Sequence, residues 1–223
     1  MSMSITAILF DFDGTLADTA PDLAGAANLQ RTKRNLPALA YEQLRPVASQ
    51  GARGLLRVAL GLATDDPAYP EARDAFLQDY AATKDQQSRL FPGVLELLAQ
   101  IESAGMQWGI VTNKVAWLAE PLIASLELNA GVVVCGDTTP HAKPHPEPLL
   151  HAARMLDKAP DACIYVGDDL RDVLAGKAAG MPTVAAAWGY CGEDQPVTEW
   201  AADRIADDPQ GVWAAIQSLV AER

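Results

Sequence analysis

The chain has 223 residues, with 17 basic and 29 acidic side chains and a formal net charge of −12. This length suits one large domain, or a domain with a smaller insertion, and a hydrophobic content of 49% indicates a folded chain. The acidity argues against nucleic-acid binding and against docking on anionic membranes, because both require clustered Lys and Arg side chains.

Short, continuous apolar runs recur along the chain, and each ends in polar or small residues. Such runs are typical of strands that are buried on both faces of a sheet. They span residues 5–10, 106–111, 132–135, 162–166 and 183–187. Apolar residues at helical spacing predict helices over 93–104, 146–156 and 170–179. The alternation predicts a mostly parallel α/β sheet flanked by helices, in which ligands bind beyond the carboxyl ends of the strands.

Residues 17–87 interrupt this alternation. They contain no convincing strand, and helices are predicted at about 21–33, 41–48, 52–62 and 68–84. The segment carries eight basic and nine acidic side chains, which leaves nine basic and 20 acidic ones, or −11, in the rest of the chain. We therefore predict a helical cap domain at 17–87, inserted into an α/β core domain formed by 1–16 and 88–223.

The sequence also bears on location. The first residues carry no basic segment, and no stretch approaches 18 uninterrupted apolar residues, so we expect neither a signal peptide nor a membrane span. Cys135, Cys163 and Cys191 form no C-x-x-C pair and are expected to be buried thiols in a reducing compartment. We expect a cytoplasmic protein.

The most informative motif follows the first predicted strand, where Asp11 and Asp13 flank Phe12. Alternate residues leaving a strand project to the same side, so both carboxylates can face one spot. Two carboxylates at the end of a buried strand repel each other, and a divalent cation would offset that repulsion. The simpler alternative is an Asp-Gly turn that caps the following helix.

A second acidic group, Gly167-Asp168-Asp169-Leu170-Arg171-Asp172, follows the fourth run. If a helix begins near Asp169, Asp168 and Asp172 lie about one turn apart and can share a face. Acidic residues also favour helix N-termini without any metal, so this group alone leaves capping and metal binding open. The first pair of aspartates favours metal binding.

Two further segments carry groups suited to phosphate. Thr112 and Asn113 follow a buried run, where a hydroxyl and backbone N–H groups could hold phosphate oxygens; the alternative is an ordinary helix N-cap. Lys143 lies in a loop stiffened by Pro144 and Pro146. Most loop lysines are solvated, but a cation is needed where carboxylates and a phosphate meet.

Together these motifs resemble the haloacid dehalogenase-like superfamily, in its phosphatase branch. The resemblance covers nearly the whole chain and includes a Rossmann-like core with a small α-helical cap. Within the superfamily the chain resembles phosphoglycolate phosphatases and bacterial N-acetylmuramic acid 6-phosphate phosphatases. The residues that carry the likeness are Asp11–Leu16, Phe91-Pro92-Gly93, Val111–Lys114, Lys143-Pro144 and Val166–Asp172.

The resemblance implies a role for each acidic residue. Asp11 would attack phosphorus and form an aspartyl-phosphate, and Asp13 would act as general acid and base. Mg²⁺ would be held by the Asp11 carboxylate, the Asp13 backbone carbonyl and Asp168. Asp172 and Asp169 would orient the water molecules around the ion.

The resemblance also implies how phosphate is bound. Thr112 and the backbone of Asn113 would hold the oxygens of the transferred phosphoryl group, and Lys143 would neutralise charge on Asp11 and the phosphate. In the cap, Arg53 lies between glycines and could reach the leaving group of the substrate. The alternative is that Arg53 and Arg57 simply share a solvated helix face.

The expected function is Mg²⁺-dependent hydrolysis of a small phosphorylated metabolite. A phosphomutase of the same fold is an alternative, because it would return the phosphoryl group to a bound sugar. A dehalogenase is a weaker alternative, since it needs neither a metal nor an acid/base at position 13. A binding module without catalysis is disfavoured because every core motif residue is present.

Overall fold

The computed structural model describes residues 5–192 and 195–222; residues 1–4, 193, 194 and 223, which the predicted core domain includes, lie outside this range. The strands are β1 (Ala7–Phe10), β2 (Ala17–Asp18), β3 (Arg89–Leu90), β4 (Gln107–Val111), β5 (Val133–Val134), β6 (Cys163–Gly167), β7 (Thr183–Ala186) and β8 (Arg204–Ala206). The helices are α1 (Ala20–Thr32), α2 (Tyr41–Leu44), α3 (Gly51–Leu60), α4 (Tyr69–Thr83), α5 (Val94–Ser103), α6 (Ala116–Ser125), α7 (Glu147–Met155), α8 (Leu170–Ala179) and α9 (Pro209–Ala221).

Six strands form one parallel sheet in the order β5-β4-β1-β6-β7-β8. Strand β1 is central, and its Ala7 is in register with Gln107 of β4 on one side and with Cys163 of β6 on the other. All pairings in the sheet are parallel, so the carboxyl ends of β4, β1 and β6 meet at one edge. The predicted fold class is confirmed.

Both faces of β1 are buried, which explains its uninterrupted apolar sequence. Ile8 and Phe10 are in one apolar cluster with residues of α5 and α9. Ala7 and Leu9 are in a second cluster with residues of α7 and α8. All four β1 residues have no exposed surface, so the end of the strand is a fixed point from which the next side chains project.

Most of a further apolar cluster lies in the helical segment, formed by residues of α1, α3 and α4 with Leu44 and Val47; Leu118 and Tyr190 from the sheet domain complete it. One prediction about this segment was wrong: Ala17–Asp18 forms a short strand, β2, which pairs antiparallel with β3. Two residues are too few to produce a recognisable pattern. A second correction concerns 41–48, where α2 ends at Leu44 and the chain continues as a 3₁₀ helix, Arg45–Gln50.

The two ends of the helical segment lie next to each other in space. The buried carboxylate of Asp22 in α1 accepts hydrogen bonds from the backbone N–H groups of Gln87 and Ser88. This contact ties the returning chain to the first helix. The cap boundaries at 17 and 87 stay predictions.

Within the described parts of the chain, none of the helices has the length and hydrophobicity needed to cross a bilayer.

Candidate active site

A cavity of about 280 Å³ opens at the carboxyl edge of the sheet, between the sheet and the helical segment. Eight of the nine residues proposed from the sequence line it; these are Asp11, Asp13, Arg53, Thr112, Asn113, Lys143, Asp169 and Asp172. The ninth, Asp168, is fully buried and is not part of the lining. Arg53 comes from α3 of the helical segment. The other residues come from the ends of β1, β4 and β6 and from the loop before α7, as the parallel topology requires.

Lys143 is at the centre of the site. It is only 5% exposed, and its ammonium lies 2.8 Å from Asp11 Oδ1 and 2.8 Å from Asp172 Oδ1. It also lies 2.9 Å from the Val111 carbonyl oxygen and 2.8 Å from the Tyr165 hydroxyl. Burial works to lower the pKa of Lys143, but the two carboxylates outweigh it and raise that pKa. Lys143 is therefore a buried cation and not a solvated surface charge.

Three buried carboxylates face one another around this lysine. Asp11, Asp168 and Asp172 each offer an oxygen, and these oxygens lie within 4.8 Å of one another. Burial raises the pKa of Asp11 to about 7 against the opposing effect of Lys143. Burial, with the charges of Asp11 and Asp172, raises the pKa of Asp168 well above its usual value. One ammonium cannot balance three carboxylates, and hard oxygen donors at this spacing fit a divalent cation such as Mg²⁺.

Asp168 is held rigidly in this group. Its carboxylate accepts hydrogen bonds from the Thr15 hydroxyl at 2.9 Å and from the Tyr190 backbone N–H at 2.8 Å. Gly14 has a φ of +86°, and a Cβ added there would lie 2.2 Å from an Asp168 oxygen. The glycine after Asp13 is thus required both by the turn and by the close approach of Asp168.

Asp13 lines the same cavity but has different partners. Its Oδ1 atom accepts hydrogen bonds from Lys114 Nζ at 2.8 Å and from the Thr19 hydroxyl at 2.5 Å. Burial works to lower the pKa of Lys114, but Asp13 outweighs it and raises that pKa. Within the described residues, the carboxylate of Asp13 is not part of the three-aspartate group. The two aspartates after β1 therefore occupy distinct electrostatic environments.

The loop after β4 holds Lys143 in place. Asn113 Nδ2 donates to the Lys143 carbonyl oxygen at 2.9 Å, and the Lys143 backbone N–H donates to Asn113 Oδ1 at 2.9 Å. Thr112 is buried, and its hydroxyl accepts a hydrogen bond from the backbone N–H of Lys114. The side chain of Asn113 is thus occupied by the backbone of Lys143, and both Thr112 and Asn113 line the cavity.

The acidic group after β6 both caps a helix and faces the site. Asp169 is the N-cap of α8 and accepts from the Arg171 backbone N–H, while Asp172 accepts from the Asp169 backbone N–H. The other oxygen of Asp172 contacts Lys143. Although burial works the other way, hydrogen bonds from Arg171 hold the pKa of Asp169 below its usual value. The same residues therefore both cap α8 and face the site. The sequence led us to expect only that Asp172 orients water around an ion, but its carboxylate also belongs to the three-aspartate group.

Arg53 reaches the cavity from the helical segment. It lies on α3, is exposed to solvent and lines the cavity together with Lys114. Arg57, one turn further along α3, is also exposed. Both arginines therefore lie on a solvated face, and Arg53 is the one of the pair that lines the cavity.

The sequence did not identify several residues of the site, among them Thr19, whose hydroxyl contacts Asp13, and Arg73, which lines the cavity. Lys114 and Arg171 lie inside motifs that were recognised, but nothing in the sequence indicates their partners. Tyr165 occurs within the apolar run of β6, and Tyr190 lies in a loop without periodic pattern. Arg171 also donates to the Ser49 carbonyl oxygen at 2.7 Å, which connects α8 with the helical segment.

The comparisons with known proteins agree with this geometry. The model of the family described as haloacid dehalogenase-like hydrolase matches residues 8–186. The chain is 46% identical over 213 residues to a phosphoglycolate phosphatase from Xanthomonas campestris, covering 93% of this chain and 94% of the relative. It is 41% identical over 210 residues to an N-acetylmuramic acid 6-phosphate phosphatase from Pseudomonas aeruginosa, covering 93% of each chain.

A solved structure supports the same assignment. The crystal structure of a predicted phosphoglycolate phosphatase from Haemophilus somnus matches with a TM-score of 0.83 and 25% sequence identity, covering 96% of this chain and 98% of that one. The chain belongs to the haloacid dehalogenase-like hydrolases. Within that family it is an enzyme of the phosphatase type, a phosphoric monoester hydrolase similar to phosphoglycolate phosphatases.

Replacing Lys143 tests the charge balance of the site. Lys143→Met leaves Asp11 and Asp172 buried without their cation, and removing one partner of a buried pair costs about 3–5 kcal/mol. We expect the free energy of unfolding, measured by urea denaturation without metal, to fall by about this amount. In the control Lys33→Met, which removes an exposed ion pair with Asp79, the loss should stay below about 1 kcal/mol. Equal losses in the two variants would contradict this account.

Proposed function

We propose that this enzyme is a Mg²⁺-dependent phosphatase that hydrolyses a small phosphorylated metabolite through an aspartyl-phosphate on Asp11. One observation carries the proposal: the Asp11 carboxylate lines the cavity while its Oδ1 atom is 2.8 Å from the Lys143 ammonium. A carboxylate in such a position can attack a phosphoryl group whose negative charge the same lysine offsets.

The reaction has two steps, in which Asp11 and Asp13 have separate roles. An Asp11 oxygen attacks phosphorus, the bond from phosphorus to the ester oxygen breaks, and Asp13 gives its proton to the departing alkoxide. Asp13 then takes a proton from water as that water attacks phosphorus, which releases inorganic phosphate and restores the Asp11 carboxylate. The different partners of the two carboxylates support this division of roles, because Lys143 contacts Asp11 and Lys114 contacts Asp13.

Other side chains hold the phosphoryl group and the ion. Thr112, the backbone of Asn113 and Lys143 bind the phosphoryl oxygens. Asp11, the backbone carbonyl of Asp13 and Asp168 would hold Mg²⁺, and Asp172 and Asp169 would orient water molecules around it. When bound, the ion supplies positive charge against the phosphate and the buried carboxylates. The fit rests on the buried three-aspartate group, whose negative charge exceeds that of Lys143.

We infer that the substrate carries a carboxylate as well as a phosphate. The two relatives described above are named for phosphoglycolate and for a phosphorylated muramic acid, and both compounds contain a carboxylate. Besides Lys143, the cavity is lined by four cationic side chains, Arg53, Arg73, Lys114 and Arg171. Lys114 and Arg171 are paired with Asp13 and Asp169, so Arg53 is a candidate partner for that carboxylate. The volume of about 280 Å³ lies near the lower limit of ordinary small-molecule sites, which agrees with a compact metabolite.

The basic activity can be tested with p-nitrophenyl phosphate. We expect hydrolysis that requires Mg²⁺, ceases with EDTA and returns when Mg²⁺ is added in excess. Asp11→Asn should lower kcat by about 10³-fold or more, because the nucleophile is lost. The matched control Asp74→Asn changes an exposed carboxylate in α4 and should retain wild-type kcat. Full activity in Asp11→Asn would refute the nucleophile assignment.

The role of Arg53 can be tested by comparing substrates. Arg53→Ala should raise KM for 2-phosphoglycolate or N-acetylmuramic acid 6-phosphate roughly tenfold, which corresponds to about 1.4 kcal/mol. KM for p-nitrophenyl phosphate, which has no carboxylate, should change much less. Arg57→Ala is the matched control, since Arg57 lies on the same helix but does not line the cavity. Equal changes in KM for both kinds of substrate would exclude a role for Arg53 in recognising the leaving group.

A further inference from the structure

The loop formed by Trp188, Gly189 and Tyr190 connects the catalytic edge of the sheet with the helical segment. It follows β7, and the backbone N–H of Tyr190 donates to the Asp168 carboxylate at 2.8 Å. Only glycine fits at position 189, because a Cβ added there would lie 2.2 Å from the Cβ of Asp168. On the other side of the loop, Arg45 donates to the Gly189 carbonyl oxygen at 3.1 Å, and its guanidinium lies 5.2 Å from the centre of the Tyr190 ring.

The hydroxyl of Tyr190 is buried where β2 leads into α1. It accepts hydrogen bonds from the backbone N–H groups of Thr19 at 2.7 Å and Ala20 at 2.9 Å, and it lies 3.1 Å from Asp18 Oδ1, to which it donates. A phenol hydroxyl has one hydrogen and two lone pairs, so these three contacts can use its whole capacity; the Thr19 hydroxyl oxygen lies a further 3.4 Å away. The side chain is 3% exposed, and therefore water does not readily replace the hydroxyl.

Thr19 connects this hydroxyl to the reaction centre. While the Thr19 backbone N–H is bound by Tyr190, its side-chain hydroxyl donates to Asp13 Oδ1 at 2.5 Å. Lys114 donates to the same oxygen of Asp13. The orientation of the Asp13 carboxylate therefore depends on where the backbone of Thr19 is held.

We propose that Tyr190 is a positioning residue, whose hydroxyl fixes Thr19 and thereby holds the Asp13 carboxylate in the orientation needed for proton transfer. The proposal rests on the acid/base role given to Asp13 in the proposed function. It also explains why one loop contacts Asp168, Thr19 and Arg45. Through these contacts the loop fixes the position of the Asp13 carboxylate with respect to both the acidic group and the helical segment. General acid catalysis depends on such placement, because the proton must be within hydrogen-bond reach of the leaving oxygen.

A purely structural role makes a different prediction. If the Tyr190 hydroxyl only satisfied the first N–H groups of α1, its loss would reduce stability as the loss of a helix cap does and would not depend on the substrate. If it positions Asp13, its loss would matter most for substrates whose leaving group needs a proton. An alkoxide is a poor leaving group and needs one, whereas p-nitrophenolate leaves readily without one.

The experiment is a single-turnover measurement on Tyr190→Phe with excess enzyme and Mg²⁺. We expect the rate of ester cleavage to fall roughly tenfold for an alkyl phosphate such as 2-phosphoglycolate, a fraction of the effect of a complete general acid. The rate for p-nitrophenyl phosphate should stay within about twofold of wild type, since that leaving group gains little from a general acid. The Mg²⁺ concentration for half-maximal rate should also remain unchanged, because the contact with Asp168 is made by the backbone N–H of Tyr190, which the substitution retains. An unchanged ratio of the two rates would overturn the proposal.

Two further variants separate the proposal from loss of folding. Thr19→Val removes the hydroxyl that contacts Asp13 and should change the ratio of the two rates in the same way. In the double variant with Tyr190→Phe, the change in this ratio should be smaller than the product of the two single changes, because both substitutions act through one contact. Cys191→Ala alters the neighbouring side chain of the same loop and should leave both rates as in wild type. Purely additive effects in the double variant would contradict the chain from Tyr190 through Thr19.

Failure of this inference can be distinguished from failure of the proposed function. If the wild-type enzyme hydrolyses neither ester, the proposed function is wrong. If it is active and Asp13→Asn slows single-turnover ester cleavage for the alkyl phosphate but not for p-nitrophenyl phosphate, Asp13 is the acid. A normal ratio of rates in Tyr190→Phe would then refute the positioning role alone.

Discussion

The structure of the site depends on the burial of a single ammonium group. Lys143 contacts Asp11, Asp172, the Tyr165 hydroxyl and the Val111 carbonyl oxygen, and these partners belong to four different elements or their ends. A buried charge is stable only when it is paired and fully hydrogen-bonded. The lysine therefore requires β1, β4, β6 and α8 to meet at one edge, and the parallel sheet provides that meeting point.

The site is built from paired charges, although the chain as a whole is strongly acidic. Lys143 is paired with Asp11 and Asp172, Lys114 with Asp13, and Arg171 with Asp169. The nitrogen-to-oxygen distance in each of these pairs is 2.8 Å. Part of the net charge of −12 is thus the acidic group that suits a divalent ion. With that ion and Lys143 in place, an anionic ester can approach an acidic protein.

Two of these cations also reach the helical segment. Lys114 Nζ lies 4.5 Å from the centre of the Tyr80 ring in α4, and Arg171 donates to the Ser49 carbonyl oxygen. In addition, Arg45 of the helical segment donates to the Gly189 carbonyl oxygen at the sheet edge. Because the same groups order the carboxylates and touch the helices, movement of the helical segment would alter the charge arrangement at the reaction centre.

The central strands and the carboxylates at their ends could be predicted from the sequence, because both leave local patterns. Strand β1 is buried on both faces and reads as a continuous apolar run that stops at Asp11. By contrast, β2 has two residues, and its pairing with β3 arises from contact between distant segments. The C-terminal pair β8 and α9 was also missed: β8 is a short, partly exposed strand, and only one face of α9 is buried.

The same physical distinction applies to the site. Asp11, Asp168 and Lys143 occur in short motifs at strand ends or in a loop, so their meeting at one edge of the sheet could be predicted without coordinates. The residues that orient them could not, because their partners are far apart in sequence. Lys114 and Asp13 are separated by 101 positions, and Tyr190 and Thr19 by 171. The sequence contains no sign of such pairs until the fold brings them together.

The central claim is that Asp11 carries the phosphoryl group during turnover. The most direct test is to mix the Asp13→Asn variant with p-nitrophenyl phosphate, whose leaving group needs no general acid, and Mg²⁺, quench it with acid, and locate the phosphoryl group by mass spectrometry of proteolytic fragments. The variant should accumulate the intermediate because water is no longer activated. The account predicts phosphorylation at Asp11 and at no other residue. Phosphorylation elsewhere, or turnover that proceeds with no covalent intermediate, would contradict it.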